Sequence, residues 1–248
     1  MRSITLGHLP QVVVLVIHRA RRAVWRLHGV LSIRERRQRS ELTRSLDETA
    51  YEDSPPAVTS DGQVAKKGQI LSIGQGRHSL SSLVVQLQHR GTLYLVDVRS
   101  TPYSRHVPEF AREYLESNLK DGPVKYMFMG DLLGGRPSDA DCYTDGRVDY
   151  GKVRSRPFFV RGINRLQTAY EKGLRICLLC SEGQPTQCHR SKLIGEELAA
   201  RDISIVHILP DGSEMTQREV MTELAEGQTE LFPTGLMSRK QYRPARTS

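Results

Sequence analysis

The sequence predicts an α/β fold, with a single open, mostly parallel sheet of about five strands, helices on both faces and a disordered N-terminal extension. Two observations predict this class. From about residue 69 onward, short apolar runs alternate with segments in which apolar residues recur at helical spacing. One run, Leu174 to Cys180, is nearly all apolar, which is typical of a strand buried on both faces of a parallel sheet.

The elements follow one another in a regular order. A strand around Ile70 to Gly74 precedes a helix on which Leu80, Leu83 and Leu87 share one face. Residues 130–157 show little periodicity and are predicted to form a long loop. The remaining strands are predicted at Leu93 to Val98, Val124 to Met129, Leu174 to Cys180 and Ile203 to Leu209. The remaining helices are predicted at Phe110 to Leu119, about Phe158 to Lys172, about Cys188 to Arg201 and, opened by a Thr216–Glu219 capping box, up to about Glu226.

The chain divides into three predicted regions: a basic, largely disordered extension and linker over residues 1–68, an α/β domain over residues 69–226 and a flexible tail over residues 227–248. The first 34 residues contain six arginines and no Asp or Glu. That composition fits an organelle transit peptide or an extension without a fold of its own that need not belong to the mature protein, and the linker-like stretch around Ser54-Pro55-Pro56 favours the second.

Charge and cysteine content bear on the compartment and the partners. Of the net charge of +8, +5 falls in residues 1–68, which hold 12 basic and 7 acidic side chains, so a nucleic-acid partner is only weakly indicated for the domain. Four cysteines are too few for a disulfide scaffold and no secretory signal is recognised, which favours the cytoplasm. The apolar run Val12 to Ile17 is far shorter than the roughly 20 residues that span a bilayer, so we expect no membrane partner.

Polar and glycine residues follow four of the predicted strands at the carboxyl edge of the sheet, where open α/β sheets bind ligands. These residues are Gly74-Gln75-Gly76 after the first strand, Asp97 and Arg99 at the end of the second, Gly134 and Gly135 after the third, and Cys180 and Glu182 at the fourth. Their convergence predicts a ligand site at this edge. The alternative is ordinary loop chemistry, in which Asp97 pairs with Arg99 or Arg105 for structural reasons.

The segment Cys180 to Arg190 brings together two thiols, a carboxylate, an imidazole and a guanidinium. Helix amides and nearby positive charge stabilise a thiolate, so Cys188, beside His189 at a predicted helix start, is the predicted nucleophile. Cys180 could be a resolving thiol or a second ligand, His189 a base, and Glu182 an acid, a base or an orienting group. Two alternatives are open: packing of the thiols as small hydrophobic groups, and zinc binding by these four side chains.

Three familiar motifs are not met. Cys177 and Cys180 have thioredoxin-like spacing, but residues three apart in a strand face opposite sides, so Cys177 is predicted to be core. Gly74-Gln75-Gly76 lacks both the third glycine of a dinucleotide fingerprint and the lysine of a P-loop. Neither Cys180 nor Cys188 has an arginine at the spacing of a phosphatase loop.

Short motifs recur in a specific order over about residues 69–210. They are Ser72-Ile73-Gly74, Leu95-Val96-Asp97-Val98-Arg99, Pro102-Tyr103-Ser104-Arg105, Pro108-Glu109-Phe110, Tyr126, Leu133-Gly134-Gly135, Cys180-Ser181-Glu182 with Pro185, Cys188-His189-Arg190 and His207-Ile208. In order and spacing this series resembles the bacterial and archaeal family known as domain of unknown function 488. The resemblance implies an α/β domain whose shared polar residues form an active site, and it implies no particular reaction. The chain departs from the family pattern at Gln75-Gly76 and over Asp139 to Arg156.

The leading hypothesis is an enzyme-like domain in which Cys188 reacts with the help of Cys180, Glu182 and His189. Residues proposed to bind an anionic substrate, such as a nucleotide or a phosphorylated metabolite, are Asp97, Arg99, Arg105, Gly134, Gly135 and Arg190. One alternative is a non-catalytic nucleic-acid-binding module using Arg99, Arg105, Arg136, Arg154 and Arg156. Another is a metal-binding or thiol redox protein. The motifs indicate no particular cofactor and no oligomeric state.

Overall fold

The computed structural model describes residues 67–103, 107–226 and 236–242. Residues 1–66 of the predicted extension, Arg105, and the remainder of the predicted tail lie outside the described residues. The described chain is α/β with a mostly parallel sheet, so the predicted fold class is confirmed. None of the helices in the described parts combines the length and apolar character needed to cross a bilayer.

The described residues contribute six strands to the main sheet and two to a small hairpin. The strands are β1 (Gln69–Gly74), β2 (Tyr94–Asp97), β3 (Lys125–Phe128), β4 (Tyr143–Thr144), β5 (Arg147–Val148), β6 (Arg175–Cys180), β7 (Ile205–Ile208) and β8 (Glu214–Thr216). The main sheet has the order β3-β2-β6-β1-β7-β8, and β4 pairs with β5. All pairs in the main sheet are parallel except β7 with β8.

The five predicted strands all occur, and β8 is an addition to them. Central strands β1 and β6 are buried over five of their six residues, which is why both are apolar on both faces. By contrast, β8 has three residues, two of them exposed, so it lacks the apolar run by which a buried strand is recognised. It leads directly into the predicted capping box, where Thr216 N donates to Glu219 Oε2 at 2.7 Å and Glu219 N donates to Thr216 Oγ1 at 3.2 Å.

Seven α-helices surround the sheet within the described residues. They are α1 (Leu80–His89), α2 (Arg112–Leu119), α3 (Gly130–Leu133), α4 (Tyr150–Arg154), α5 (Pro157–Glu171), α6 (Glu196–Ala199) and α7 (Gln217–Glu226). Leu83, Leu87 and Leu115 of α1 and α2 pack with Leu71 and Ile73 of β1 in one buried cluster. That core also contains Cys177, in agreement with its predicted place.

The prediction of one α-helix from about Cys188 to Arg201 is wrong in its form. Cys188 is extended, with φ −117° and ψ 149°, and a π-helix over Arg190–Gly195 continues into α6. The hydroxyl of Ser191 donates to the carbonyls of Pro185 and Cys188, at 2.5 Å and 3.1 Å, and so ties the start of the helix to the preceding loop. Cys188 therefore precedes the helix instead of forming its first turn.

The prediction of a long loop over residues 130–157 is also wrong in part. This segment contains α3, the β4–β5 hairpin and α4. The hairpin turns at Asp145 and Gly146, both with positive φ (49° and 73°), which is the backbone that an Asp-Gly pair adopts in a two-residue turn. Asp149 then caps α4 by accepting from Lys152 N at 3.2 Å.

Residues 236–242, which fall within the predicted flexible tail, contact this hairpin and α4. Ser238 N donates to Val148 O at 2.9 Å, and Val148 N donates back to Ser238 Oγ at 2.9 Å. Tyr150 N donates to Leu236 O at 3.1 Å, and Tyr242 N donates to Gly146 O at 2.6 Å. The segment thus lies along the hairpin, with the Ser238 side chain buried.

Candidate functional site

Cys180 ends β6 at the carboxyl edge of the sheet, beside Gly74 at the end of β1. The two strand ends are joined by the Gln75 N–H, which donates to Cys180 O at 2.7 Å. A Cβ on Gly74 would overlap the Glu182 carbonyl oxygen, so a residue without a side chain is needed for the two loops to meet. Cys180 Sγ donates to Glu182 Oε2 at 3.1 Å. This packing fixes the first two candidate side chains of the site, Cys180 and Glu182.

Arg190 holds the loop between the two cysteines. Its side chain is fully buried, and its Nη1 and Nη2 donate to the carbonyl oxygens of Glu182 at 2.6 Å and Gly183 at 2.7 Å. The sequence predicts substrate binding for Arg190, whereas its two terminal nitrogens donate to backbone carbonyls. In this structure Arg190 positions the loop and places a buried positive charge near the thiols.

Cys180, Cys188 and His189 form what we call the Cys–His cluster. The distance from His189 Nδ1 is 3.6 Å to Cys180 Sγ and 3.8 Å to Cys188 Sγ. The Sγ and Nδ1 atoms of the cluster all lie within 4.8 Å of one another. The three residues are nearly enclosed, with relative exposures of 3%, 1% and 7%.

A backbone carbonyl fixes the orientation of the His189 ring. His189 Nε2 is 3.1 Å from Val98 O, and since a carbonyl only accepts, Nε2 carries the proton and donates. In the neutral ring Nδ1 therefore has a free lone pair, and that lone pair faces the two sulfur atoms. Val98 directly follows β2, so this contact links the cluster to the second strand end.

The two thiols have opposite pKa shifts. Burial opposes ionisation of Cys188, but its hydrogen bond with Cys180 and the positive charges of Arg190 and His189 outweigh burial and lower its pKa well below the ordinary value. The pKa of Cys180 is raised, because of that hydrogen bond, burial and the negative charges of Cys188 and Glu182. Burial also disfavours the charged form of His189, yet contact with Cys188 raises the pKa of the imidazole.

A backbone amide adds to the stabilisation of negative charge on Cys188. Arg190 N donates to Cys188 Sγ at 3.5 Å from the start of the π-helix. An N–H group directed at sulfur from a helix start is the arrangement that favours a thiolate. Cys188 itself is extended, but its sulfur atom accepts a hydrogen bond from the first residue of the helix, so the predicted link between Cys188 and a helix start is present.

Gly134 and Gly135 lie in the loop that follows α3, and Gly135 contacts the cluster. A Cβ on Gly135 would lie 2.7 Å from His189 Nδ1 and 2.8 Å from Cγ. A Cβ on Gly134 would overlap Gly130 O and Ser100 Oγ. Both glycines therefore permit close backbone approach, and Gly135 lies against the imidazole.

Asp97 and Arg99 bind each other beside the cluster. Arg99 Nε donates to Asp97 Oδ1 at 2.8 Å, and Nη2 donates to Asp97 Oδ2 at 2.5 Å and to Phe110 O at 2.8 Å. Arg99 Nη1 donates to Gln75 Oε1 at 3.2 Å, and Tyr126 donates to Asp97 Oδ2 at 2.8 Å. Both members of the pair are buried. Their contacts correspond to the structural alternative raised from the sequence.

The structure thus brings together Cys180, Glu182, Cys188, His189, Arg190 and Gly135, with the Asp97–Arg99 pair and Gly134 adjoining them. Arg105 lies outside the described residues. Of the arginines considered for nucleic acid, Arg156 pairs with Asp139 at 3.2 Å and Asp141 at 3.0 Å.

Three residues near the cluster escaped the sequence analysis: Tyr150, Lys192 and Tyr242. Burial and the negative charges of Cys188 and Glu182 raise the pKa of Tyr150. Burial also raises the pKa of Tyr242, with Glu182 and Cys180 adding to the effect against Arg136. Of these three residues, only Lys192 has a signal in the sequence. It follows Cys188 by four residues, a spacing that makes two residues neighbours on a helix.

Lys192 and Arg136 supply positive charge near the cluster. Lys192 is half-buried, and burial lowers its pKa although the negative charge of Cys188 acts to raise it. No carboxylate of the described residues pairs with Lys192. The Arg136 guanidinium lies 4.5 Å from the centroid of the Tyr242 ring. These cations, unlike Arg99 and Arg190, are not bound by an acidic or carbonyl partner through their side chains within the described residues.

A second buried polar chain supports the site from the other side of β1. Ser72 Oγ is 2.6 Å from His207 Nδ1, and His207 Nε2 is 2.8 Å from Gln217 Oε1. Gln217 Nε2 donates to Ser191 O at 3.1 Å and Glu196 Oε1 at 2.8 Å, so Gln217 Oε1 accepts and His207 Nε2 donates. The chain ends at Ser191, whose hydroxyl holds the Cys188 carbonyl.

The residues of the Cys–His cluster could hold a metal ion, and Glu182 could add a carboxylate oxygen. Cys142 and Cys177 are buried elsewhere, and Cys177 is part of the hydrophobic core. The cluster is therefore the place in the described chain where thiols and an imidazole meet.

Comparison with known proteins gives one match. The model of the family described as Domain of unknown function DUF488 matches residues 79–195, a span that includes the whole Cys–His cluster. No curated protein and no solved structure matches the chain.

Proposed function

This chain belongs to the family of Domain of unknown function DUF488, and from that premise we propose that it is an enzyme in which Cys188 attacks an anionic substrate. The observation that carries the proposal is the contact of His189 Nδ1 with both thiols, 3.6 Å from Cys180 and 3.8 Å from Cys188, at the carboxyl edge of the sheet. A thiol beside an imidazole, itself oriented by a third group, is the arrangement of an activated nucleophile.

The first step is proton transfer from Cys188 Sγ to His189 Nδ1. It leaves a thiolate facing an imidazolium whose Nε2–H remains on Val98 O. The thiolate then forms a bond to an electrophilic atom of the substrate, while the bond to the leaving group breaks and its electron pair departs with that group. His189 returns its proton to the leaving group. Water next cleaves the sulfur–substrate bond, its hydroxyl joining the product and its proton returning to His189.

The remaining residues have positioning roles in this proposal. Cys180 donates to Glu182 and contacts Cys188, so it holds the nucleophile from one side. Arg190 fixes the loop and favours the thiolate through its charge and its backbone amide. The Asp97–Arg99 pair holds the Val98 carbonyl segment against His189.

Lys192 and Arg136 are the groups that we assign to the substrate anion. The charge of Cys188 acts on Lys192, and Arg136 directly follows Gly135, which lies against His189. Neither side chain is neutralised by a carboxylate within the described residues. Arg105 keeps its predicted role in anion binding. A nucleotide or phosphorylated metabolite remains the proposed substrate class, since phosphate groups bind well to Lys and Arg.

A nucleic-acid-binding function has less support. It would draw on the same cations, but Arg99 is buried against Asp97 and Arg156 pairs with two aspartates. Binding of this kind must weaken steeply as salt is added. A salt-dependent gel shift of the full chain with short nucleic-acid duplexes would support the nucleic-acid-binding function.

Labelling with a small thiol reagent tests the nucleophile. The reduced, metal-free chain is treated with iodoacetamide at neutral pH, and the modification of each cysteine is followed by peptide mass spectrometry. We expect Cys188 to react at least about tenfold faster than Cys142, because a thiolate is the reactive form. Cys188→Ser should remove the fast phase, and Cys142→Ser should keep it. Equal rates at Cys142 and Cys188 in the native protein would contradict the proposal.

Protection by an anion tests the substrate class. Inorganic pyrophosphate should slow the labelling of Cys188, and Lys192→Gln should weaken this protection. Lys120→Gln is the matched control, because exposed Lys120 lies between α2 and β3, at the opposite edge of the sheet. Protection that is the same in both variants would exclude Lys192 from anion binding.

A further inference from the structure

We infer that the reduced Cys–His cluster is also a binding site for a zinc-type divalent ion, held by Cys180 Sγ, Cys188 Sγ and His189 Nδ1. Glu182 lies within reach of the fourth position. The inference uses the residues of the proposed function, but it does not require Cys188 to be a nucleophile.

The two separations between sulfur and imidazole nitrogen match those around a tetrahedral ion. With Zn–S of about 2.3 Å and Zn–N of about 2.05 Å, a tetrahedral site has S···N edges of about 3.6 Å. The two S···N distances here are 3.6 Å and 3.8 Å. All three donor atoms lie within 4.8 Å of one another, so one ion can contact them all. The two S···N edges therefore have the length that a tetrahedral zinc site requires, and the Sγ–Sγ edge is no longer than 4.8 Å.

The orientation of His189 supports the same conclusion. Metal-binding histidines usually donate their other ring N–H to a carbonyl or carboxylate, which fixes the tautomer and directs the free lone pair at the ion. His189 Nε2 donates to Val98 O at 3.1 Å, and Nδ1 faces both sulfur atoms. Gly135 lies against the ring, where an added Cβ would come within 2.7 Å of His189 Nδ1.

The surroundings suit an ion bound by two thiolates. Arg190 N donates to Cys188 Sγ at 3.5 Å, and the buried guanidinium of Arg190 compensates negative charge when Glu182 is near the ion. Two sulfurs and an imidazole favour zinc or a similar transition metal over Mg²⁺ or Ca²⁺, which prefer oxygen. The three ligands have relative exposures of 3%, 1% and 7%, so protein atoms would surround most of the ion.

Zinc binding has a direct consequence for Cys188. A thiolate bound to the ion has its lone pair engaged, so it is withdrawn from alkylation and from nucleophilic attack. Zinc occupancy and thiolate reactivity are then alternative states of one cluster. We expect saturating Zn²⁺ to slow iodoacetamide labelling of Cys188 and leave Cys142 unaffected.

Titration with Co²⁺, a spectroscopic substitute for zinc, tests the site in the reduced, metal-free full chain. We expect intense visible bands typical of tetrahedral cobalt and an ultraviolet thiolate-to-cobalt band, both removed by one equivalent of Zn²⁺. Cys180→Ser and Cys188→Ser should each remove about half of the ultraviolet band, because each supplies one of two sulfurs. His189→Gln should weaken Zn²⁺ binding by more than the roughly 10- to 100-fold cost of losing an outer-shell partner.

Cys142→Ser is the matched control, and it should leave both the bands and the affinity unchanged. Circular dichroism of every variant checks that the fold is retained. Weak, octahedral cobalt spectra without a thiolate band, or equal loss in Cys142→Ser, would overturn the inference. If no ion binds while Cys188 still outreacts Cys142, zinc binding fails and the proposed enzyme stands. If an ion binds while Cys188 in the metal-free chain reacts no faster than Cys142, the proposed enzyme fails and the metal site stands.

Discussion

Acid should destabilise the fold through His207, which lies neutral in the core. Burial is the main cause that lowers the pKa of His207 to about 4, and the positive charge of Arg190 lowers it further. The hydrogen bond with Gln217 and the negative charge of Cys188 act in the opposite direction. The unfolded chain, with a pKa near 6.5, therefore binds more protons than the folded chain between these values. Stability is then complete above pH 6.5 and falls as the pH drops toward 4.

The size of the effect follows from the two pKa values. A difference of about 2.5 pH units at 1.36 kcal/mol per unit amounts to about 3 kcal/mol in all, of which about 2 kcal/mol is lost between pH 7 and pH 5. Glu196, which bonds Gln217, is the nearest carboxylate on this chain of contacts. His207→Gln keeps a polar side chain and removes the titration.

Urea unfolding at pH 7, 6 and 5, followed by far-ultraviolet circular dichroism, measures this loss. His207→Gln should lose about 2 kcal/mol less than the natural chain between pH 7 and pH 5. His89→Gln is the control, because His89 is exposed at the end of α1 and its replacement should keep the full loss. Equal pH dependence in the natural chain and His207→Gln would refute the assignment of His207 as a buried neutral group.

Three further substitutions test the contacts around the site. Gly135→Ala should weaken cobalt binding at least about tenfold, because its Cβ would lie 2.7 Å from His189 Nδ1. The control Gly122→Ala, whose Cβ would have its nearest neighbour at 3.6 Å, should leave cobalt binding unchanged, and equal effects of the two substitutions would contradict this role of Gly135. Arg190→Gln should lower the free energy of unfolding, measured in urea, by about 3 kcal/mol, because it removes two charge-assisted hydrogen bonds to the Glu182 and Gly183 carbonyls. A loss no larger than that caused by Arg77→Gln, at an exposed arginine, would refute this role of Arg190. Thr216→Ala should cost about 1 kcal/mol by removing the cap of α7, and an unchanged urea midpoint would argue against the cap.

The strands and the place of the site could be predicted because they depend on local patterns. Apolar runs such as Leu174 to Cys180 are set by burial on two faces, and a parallel sheet brings their carboxyl ends to one edge. The capping box is likewise local, because Thr216 and Glu219 bond each other within a stretch of four residues. These features need no knowledge of distant contacts.

The use of each polar side chain could not be predicted in the same way. Arg99 is engaged because Gln75 and the Phe110 carbonyl, distant in sequence, complete its contacts with Asp97. Tyr242 comes near the cluster only because its segment follows the hairpin, and nothing in its local sequence indicates this position. The Asp145-Gly146 turn, by contrast, carried a recognisable hairpin signal that the lack of apolar periodicity concealed.

The π-helix over Arg190–Gly195 makes the chain sensitive to changes in length by one residue. A π-turn contains one residue more than an α-turn, and such turns frequently occur at functional sites. Deletion of a single residue within it would allow a regular α-helix. Because α6 is anchored by buried Leu198, the correction would fall on the preceding residues and rotate Cys188 and His189 by about 100° around the helix axis. The frame of the helix, and not only the identity of its residues, therefore determines whether the thiols and the imidazole meet.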